Sequence, residues 1–276
     1  MTEVVPDAAE IGRHYDKSSP VGDEFRDGQL HMWYYYDRDD EAAPEVATNR
    51  ITRKVVEALG LRAGEKVLDA GCGPGTPALY VAENFGADVT GITVSNVEVE
   101  RATRRAEARG TADLTRFQYG DFMALDFPDR AFDAVLAIES LQNAPDLAQV
   151  LRELFRVLRP GGRIAFSDFS LEEPDEQGRV AAFMSALRLH TLPTTSEWLG
   201  HLRAAGFEIE EYTQCGPRTY GRNGNYTMAA MAKWEEVANK VGETTVTEFS
   251  QVHNGFFKPR RNQIGYVIAA ARRPYR

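Results

Sequence analysis

Apolar positions recur at helical spacing from Val46 to Leu59, and Gly60 supplies a stop. Beyond Gly60 the period changes. Lys66-Val67-Leu68-Asp69-Ala70 is a short apolar run ending in Gly71-Cys72-Gly73-Pro74-Gly75, and a helical pattern follows from Thr76 to Phe85. Ala87 to Ile92 predicts a second strand. Ser95 is placed to cap a helix running to about Arg109. Leu114 to Tyr119 alternates as a third strand. Phe132 to Ile138 is mostly apolar, which predicts a fourth strand buried on both faces. Asp146 to Leu158 is an amphipathic helix stopped by Arg159-Pro160-Gly161-Gly162, and Arg163 to Asp168 is a fifth strand. Strands alternating with helices of this length imply βαβ units, right-handed connections and a parallel sheet covered on both faces.

The flanks are less regular. Up to about Glu45 the pattern predicts irregular structure: Gly, Pro and acidic residues around the aromatic cluster Trp33-Tyr34-Tyr35-Tyr36. Past Asp168, residues 172–179 form a polar loop, Ala181 to Leu189 a helix, and Ser196 opens another that ends at Gly206. Phe207 to Tyr212 is a strand, Tyr226 to Phe249 one long helical pattern, and Gly265 to Ala271 a closing apolar strand. An antiparallel pair is expected at one sheet edge. The chain has no internal repeat.

Composition narrows the class. With 276 residues, 43% hydrophobic and 26% charged, the chain is globular rather than disordered. Its net charge of -9 weighs against a nucleic-acid partner, whose binding depends on Lys and Arg. No apolar run nears the roughly 18–20 residues of a membrane span. Residues 1–7 are acidic and lack the basic start of a secretory leader, so a cytoplasmic location is expected. Cys72 and Cys215 are too few for a disulfide framework or a zinc cluster, so two free thiols and no metal are expected.

The glycine-rich turn after Asp69 is the first candidate for chemistry. Alone it is weak evidence: it fits a nicotinamide dinucleotide site, with the pyrophosphate on the helix N-terminus, or only a tight turn. A carboxylate at Asp69 would repel a pyrophosphate but suits an ammonium group. Gly120-Asp121-Phe122, after the third strand, adds an acceptor for an exocyclic amine and an aromatic face for a base.

These features resemble the class I S-adenosylmethionine-dependent methyltransferases over roughly residues 48–170. The marks are the run from Val67 to Gly75, Gly91-Ile92-Thr93-Val94-Ser95, Gly120-Asp121-Phe122, Phe132 to Ser140, and Leu158-Arg159-Pro160-Gly161-Gly162. The resemblance implies a Rossmann-like, doubly wound α/β fold. Its mostly parallel seven-stranded sheet would carry helices on both faces and a helical lid or insert over the C-terminal edge. It also implies S-adenosyl-L-methionine as cofactor. Asp69 would order the loop near the methionine ammonium, with Gly71, Gly73 and Gly75 as its floor. Thr93 and Val94 end the second strand where an acidic residue is commoner, and Glu98 would take the ribose hydroxyls. Gly120, Asp121 and Phe122 would hold the adenine. Ile138 and Glu139 would line the methionine end, and Tyr35 and Gln142 complete the set. Plainer readings stand beside these: Asp121 as a turn residue, Glu98 as a helix-dipole partner, Phe122 as core.

Leu30 to Tyr35 and Glu139-Ser140-Leu141 resemble the small-molecule branch, which acts on natural products, sugars, terpenoids and small amines. Sugar-modifying members often carry a His pair after Glu-Ser-Leu; here Gln142-Asn143 stands instead, while their strand-end Asp is kept as Asp168. A hydroxyl acceptor needs a base. The candidates are Asp168, Glu139, His31 and His14, then His190 and Tyr35. Arg218, Arg222, Arg260 and Arg261 are candidates for an anionic substrate group, as in the similar tail of prenyl-diphosphate C-methyltransferases, or are solvated loop residues. Trp33, Tyr34, Tyr35, Tyr36, Phe183, Trp198, Tyr220, Tyr226 and Phe256 would wall an apolar acceptor site, with Trp198 read as core. His14 to Tyr36 would act as a lid. The expected organisation is a lid segment over residues 1–45 and a methyltransferase domain over 46–276, with the acceptor insert at 170–262.

The expected reaction is methyl transfer to a hydroxyl oxygen or carbon of an aromatic, terpenoid or glycosylated secondary metabolite of the antibiotic type. The partner would be a small molecule, with no nucleic acid or membrane and with a homo-oligomer left open. The alternatives are N-methylation of an amine, an RNA- or protein-directed methyltransferase, and an NAD(P)-dependent oxidoreductase.

Overall fold

Seven strands make one sheet: β1 (Lys66–Ala70), β2 (Asp88–Thr93), β3 (Thr115–Tyr119), β4 (Phe132–Ile138), β5 (Leu158–Leu171), β6 (Glu208–Gln214) and β7 (Ile264–Arg272). Their order across the sheet is β3-β2-β1-β4-β5-β7-β6. The first five are parallel, and β7 runs antiparallel to both β5 and β6. This computed structural model describes residues 8–26, 28–174 and 177–276, without the side chains of Asn225, Tyr226 and Val252. The leader reading on residues 1–7 and part of the expected loop at 172–179 lie outside the described residues.

The sheet's alternation builds two cores. Val67, Val89, Ala134 and Leu136 face α2 (Pro44–Leu59) and α3 (Thr76–Phe85), meeting Ile51, Val55 and Leu59. Leu68, Val135, Ile164 and Phe166 face the other way, onto α5 (Leu147–Val157) and α7 (Thr195–Ala204). As expected, β4 is buried on both faces. Burying each valine, leucine, isoleucine or phenylalanine side chain here is worth roughly 1.5–3 kcal/mol. Helix starts carry their predicted chemistry. Ser95 caps α4 (Asn96–Arg109) by accepting from the Glu98 amide at 3.1 Å. Trp198, as read, is core: its ring lies 4.9 Å from Phe166 and its indole N–H donates to the Phe169 carbonyl.

Three elements depart from expectation. Residues 8–26 are helical (α1, Ala8–Arg26), with Pro20 inside, rather than irregular. The fifth strand continues to Leu171, because β7 pairs with it as far as Ile264. The single pattern over 226–249 is two helices, α8 (Asn223–Val241) and α9 (Glu243–His253). Gly242 separates them at φ +92°, a conformation that favours glycine. Helix α6 (Arg179–Leu187) precedes α7. Helices α1, α8 and α9 share a small core of Val21, Phe25, Val237 and Val246.

Strand order reverses between β1 and β4, since the chain moves out through β2 and β3 and returns to β4. The crevice beyond their carboxyl ends is where such sheets bind ligands. Asp69 and Gly71 lie on one side of it, Glu139 on the other. Among the described residues no helix is long and apolar enough to cross a membrane.

Candidate active site

A cavity of about 450 Å³ fills that crevice. At its β1 wall Gly71 has φ +88°, and a Cβ there would sit 2.3 Å from Ser140 Cβ. The two loops can touch only through glycine, and Ser140 Oγ ties them by donating to the Ala70 carbonyl at 2.6 Å. Gly73 (φ +52°) faces open space: its nearest neighbour would be Glu98 Oε1 at 3.8 Å. Asp69 lines the cavity and is buried. Its carboxylate takes the Ala78 amide, one of the open N–H groups at the start of α3. Its Oδ2 has no hydrogen-bond partner among the described residues. Burial pushes the Asp69 pKa up to about 7.

Thr93, Val94, Glu98, Gly120, Asp121 and Phe122 continue the wall. Glu98 is buried, and burial raises its pKa. Its two oxygens accept hydroxyl protons from Thr93 and Ser19, each at 2.6 Å. Asp121 accepts from the Met123 amide at 2.8 Å, so it serves the turn as well as the wall. Ile138 and Glu139 close the β4 side. Glu139 holds the left-handed conformation (φ +51°) that a non-glycine residue adopts at a cost. Its Oε1 accepts from the Met32 amide and from the Tyr266 hydroxyl, and burial pushes its pKa up to about 7.

Helix α1 covers the cavity with the face bearing Ile11, Tyr15, Ser19, Gly22 and Arg26. Its neighbouring residues latch to α4. Asp16 accepts from Ser95 Oγ at 2.6 Å, and buried Asp23 pairs with Arg101 and Arg105. Contact is close: a Cβ on Gly12 would lie 2.1 Å from the Val94 carbonyl. Gly12→Val is therefore expected to lift α1. Overpacking of about 1–3 kcal/mol translates to amide exchange roughly 10–100-fold faster across residues 8–26. Unchanged protection there would contradict the docking of α1 on Val94.

Several predicted residues lie elsewhere. Asp168 does not line the cavity. It sits inside β5, opposite Val267, because the strand runs three residues past it. It accepts from the Phe169 amide, and burial and the nearby Glu139 carboxylate push its pKa well up. An enclosed carboxyl that does not reach the cavity is no base for an acceptor there. His31 lines the cavity, but both ring nitrogens are used. Nδ1–H donates to the Met32 carbonyl and Nε2 accepts from Thr52 Oγ1, both at 2.9 Å. Burial pushes its pKa down to about 4. It fastens the N-terminal strap rather than taking protons.

Four more fall outside the cavity wall. Tyr35 lies under the Arg222 guanidinium, 4.7 Å away, with its amide on the Arg218 carbonyl. Gln142 bridges the Phe169 amide and the Thr191 carbonyl. A Cβ on Gly75 would meet Ala102 and Phe117, so that glycine serves packing. His190 donates its amide to the Gln142 carbonyl behind the wall.

The arginine expectation is also corrected. Arg218 bonds the Tyr34 hydroxyl, Arg222 bonds the carbonyls of Asp37 and Arg38, and Arg260 and Arg261 are exposed; none lines the cavity. Of the predicted aromatic wall, Trp33 and Phe256 line it. Tyr34, Phe183 and Tyr220 are core and Tyr36 is exposed. The Tyr226 side chain lies outside the described residues.

Sequence reasoning missed Ser19, Tyr15, Phe249, Phe257 and His253, all in the wall, while His14, one of the base candidates, is there. The i, i+4 spacing of Phe249 and His253 was the available signal. Asn143, in place of a histidine, also lines the cavity, and it donates to the carbonyls of Leu187 and Arg188. Among the described residues no three His, Cys, Asp or Glu side chains gather as a metal site.

Comparisons with known proteins bear on the fold and the family. Residues 68–166 match a family described as "Methyltransferase domain". A 27-O-demethylrifamycin SV methyltransferase of Amycolatopsis mediterranei is 36% identical over 281 aligned positions, covering 99% of this chain and 100% of that protein. Methyltransferase GfsG of Streptomyces halstedii is 31% identical over 268, covering 96% and 94%. The crystal structure of the [4+2]-cyclase SpnF superposes with a TM-score of 0.84 at 31% identity, covering 98% of each chain.

Proposed function

The chain belongs to the class I S-adenosylmethionine-dependent methyltransferases of small molecules, and from that premise we propose that it methylates a hydroxyl oxygen of a neutral, largely apolar secondary metabolite. One observation carries the reading. A buried carboxylate oxygen on Asp69, without a partner among the described residues, shares one cavity with an apolar and aromatic wall. The residues fit the cofactor. Asp69 would meet the ammonium, and the backbone at Gly71 and Gly73 would pass beneath it without a Cβ in the way. Glu98, already bonded to two hydroxyl groups, would take the ribose with Thr93 and Val94 beside it. Asp121 and Phe122, after Gly120, would hold the adenine, and Ile138 and Glu139 the methionine end. When bound, S-adenosylmethionine supplies an electrophilic methyl group. The protein's own work is to orient the acceptor and exclude water, with α1 and Trp33 covering the site.

The acceptor end is built from Tyr15, Trp33, Phe169, Phe249, Phe256 and Leu187. None of the four C-terminal-flank arginines enters it, which argues against a diphosphate substrate. The full-length relative named for rifamycin supports a large hydroxylated natural product. The test is product analysis from a panel of hydroxyl, amine and prenyl acceptors with carbon-labelled cofactor. The expected product carries one added methyl on oxygen. A methyl on nitrogen or carbon would overturn the assignment of the atom. An isomer of the acceptor without mass gain would favour a cyclase like the SpnF neighbour.

A further inference from the structure

Two histidines face the acceptor end of the cavity, His14 from α1 and His253 from the last turn of α9, with ring centroids 6.2 Å apart. Each has one nitrogen committed, and the commitments differ. His253 Nδ1 lies 2.8 Å from the Phe249 carbonyl. A carbonyl only accepts, so Nδ1 carries the proton and Nε2 is left with a bare lone pair. The ring is also stacked on Phe249 at 4.1 Å, which fixes its plane. His14 Nδ1 accepts from Arg188 Nε at 3.5 Å, so its proton sits on Nε2. Neither Nε2 has a hydrogen-bond partner among the described residues. The pair therefore offers one acceptor and one donor, the complement of a single hydroxyl group.

We propose that His253 is the general base for the acceptor hydroxyl and that His14 is the donor that holds the same hydroxyl in place. This rests on the hydroxyl-methylation reading above. The hydroxyl oxygen forms the new C–O bond as the donor's C–S bond breaks, and that bonding pair leaves on sulfur. The hydroxyl proton passes to His253 Nε2 and from there to solvent. Both rings are neutral at physiological pH. Burial and Arg188 lower the His253 pKa against the pull of the Phe249 carbonyl. Burial, Arg188 and His253 push His14 down to about 4. The charged group acting on the pair from the elements packed around it is Arg188, at the end of α6. The other cavity candidate, Glu139, is already bonded by the Met32 amide and the Tyr266 hydroxyl.

The experiment pairs nitrogen-15 histidine NMR of the cofactor-free protein with kinetics of His253→Gln, which keeps an acceptor near the Nε2 position but cannot take a proton. The NMR is expected to show His253 protonated on Nδ1 and titrating below 6.5. Opposite protonation, on Nε2, would overturn the proposal without reference to activity. His253→Gln is expected to lower kcat by about 10²–10⁴-fold, the usual contribution of a general base, with KM within a few-fold. It should also abolish the acid limb of the pH–rate profile. His14→Phe, losing one neutral hydrogen bond of about 1 kcal/mol, should raise KM roughly five- to tenfold and keep the acid limb. A His253→Gln enzyme with wild-type kcat and pH profile would overturn the base assignment. If the wild type methylates no hydroxyl at all, the broader reading fails instead.

Discussion

Replacing Asp69 by asparagine weakens S-adenosylmethionine binding about 10–100-fold and, at the same time, stabilises the unliganded protein above pH 7. The first effect follows from charge. A hydrogen bond to an ionised partner is worth about 1.5–3 kcal/mol, and asparagine keeps the shape but not the charge. Because burial pushes the Asp69 pKa from 3.8 to about 7, wild-type affinity should rise with pH through 7 and level off above it. The variant's affinity should lack that rise. The second effect follows from linkage. A raised folded-state pKa means that the folded protein binds more protons than the unfolded chain between pH 4 and 7. The group's contribution is fully present below pH 4 and is lost as pH rises through 7. Carrying the carboxyl from 3.8 to about 7 corresponds to on the order of 4 kcal/mol at most. Removing the charge should therefore raise Tm at pH 8 by several degrees and by roughly a third as much at pH 5. Calorimetry and thermal melts at the two pH values read both effects. Loss of stability at pH 8 together with unchanged affinity would refute the assignment.

The glycine loop gives the second large effect, through a contrast between neighbours. Gly71→Ala should unfold or severely destabilise the protein. Its Cβ would overlap Ser140 Cβ and break the Ser140–Ala70 bond at a left-handed position. Overpacking, the lost hydrogen bond and the conformational cost together come to about 3–6 kcal/mol. That is a large share of the roughly 5–15 kcal/mol stability of a typical domain. A Cβ at Gly73 meets nothing closer than 3.8 Å, and Gly73→Val should stay folded at a cost of about 1–2 kcal/mol. It should nevertheless lose S-adenosylmethionine affinity by more than about 100-fold, because the side chain occupies the space the cofactor needs. A folded Gly73→Val protein that binds the cofactor normally would show that the loop does not border it.

The parallel half of the fold was legible because its cues are local. Strands β1 to β5 carry period-two or fully apolar runs, and the helices between them carry caps. Helix α1 was not legible. Its inner face, with Tyr15, Ser19, Gly22 and Arg26, serves a ligand cavity, while Asp16 and Asp23 bind α4. No apolar stripe survives two such polar tasks. Asp168 was misplaced for a related reason. Nothing within the fifth strand reveals that β7, about a hundred residues on, extends it past Asp168 and turns a strand tip into strand interior. Arg218 and Arg222 look like free cations in sequence, yet they fasten Tyr34 and the carbonyls of Asp37 and Arg38. His253 gained its meaning only once the chain folded it beside His14.

The glycine loop that raised a choice of nucleotide at the outset also supplies the most direct measurement. It is a calorimetric titration of the purified protein with S-adenosylmethionine and, separately, with NAD, at pH 6 and pH 8. The cavity beside Asp69 predicts saturable S-adenosylmethionine binding that tightens at pH 8, with no NAD binding at either pH. Tight NAD binding with no response to S-adenosylmethionine would contradict it.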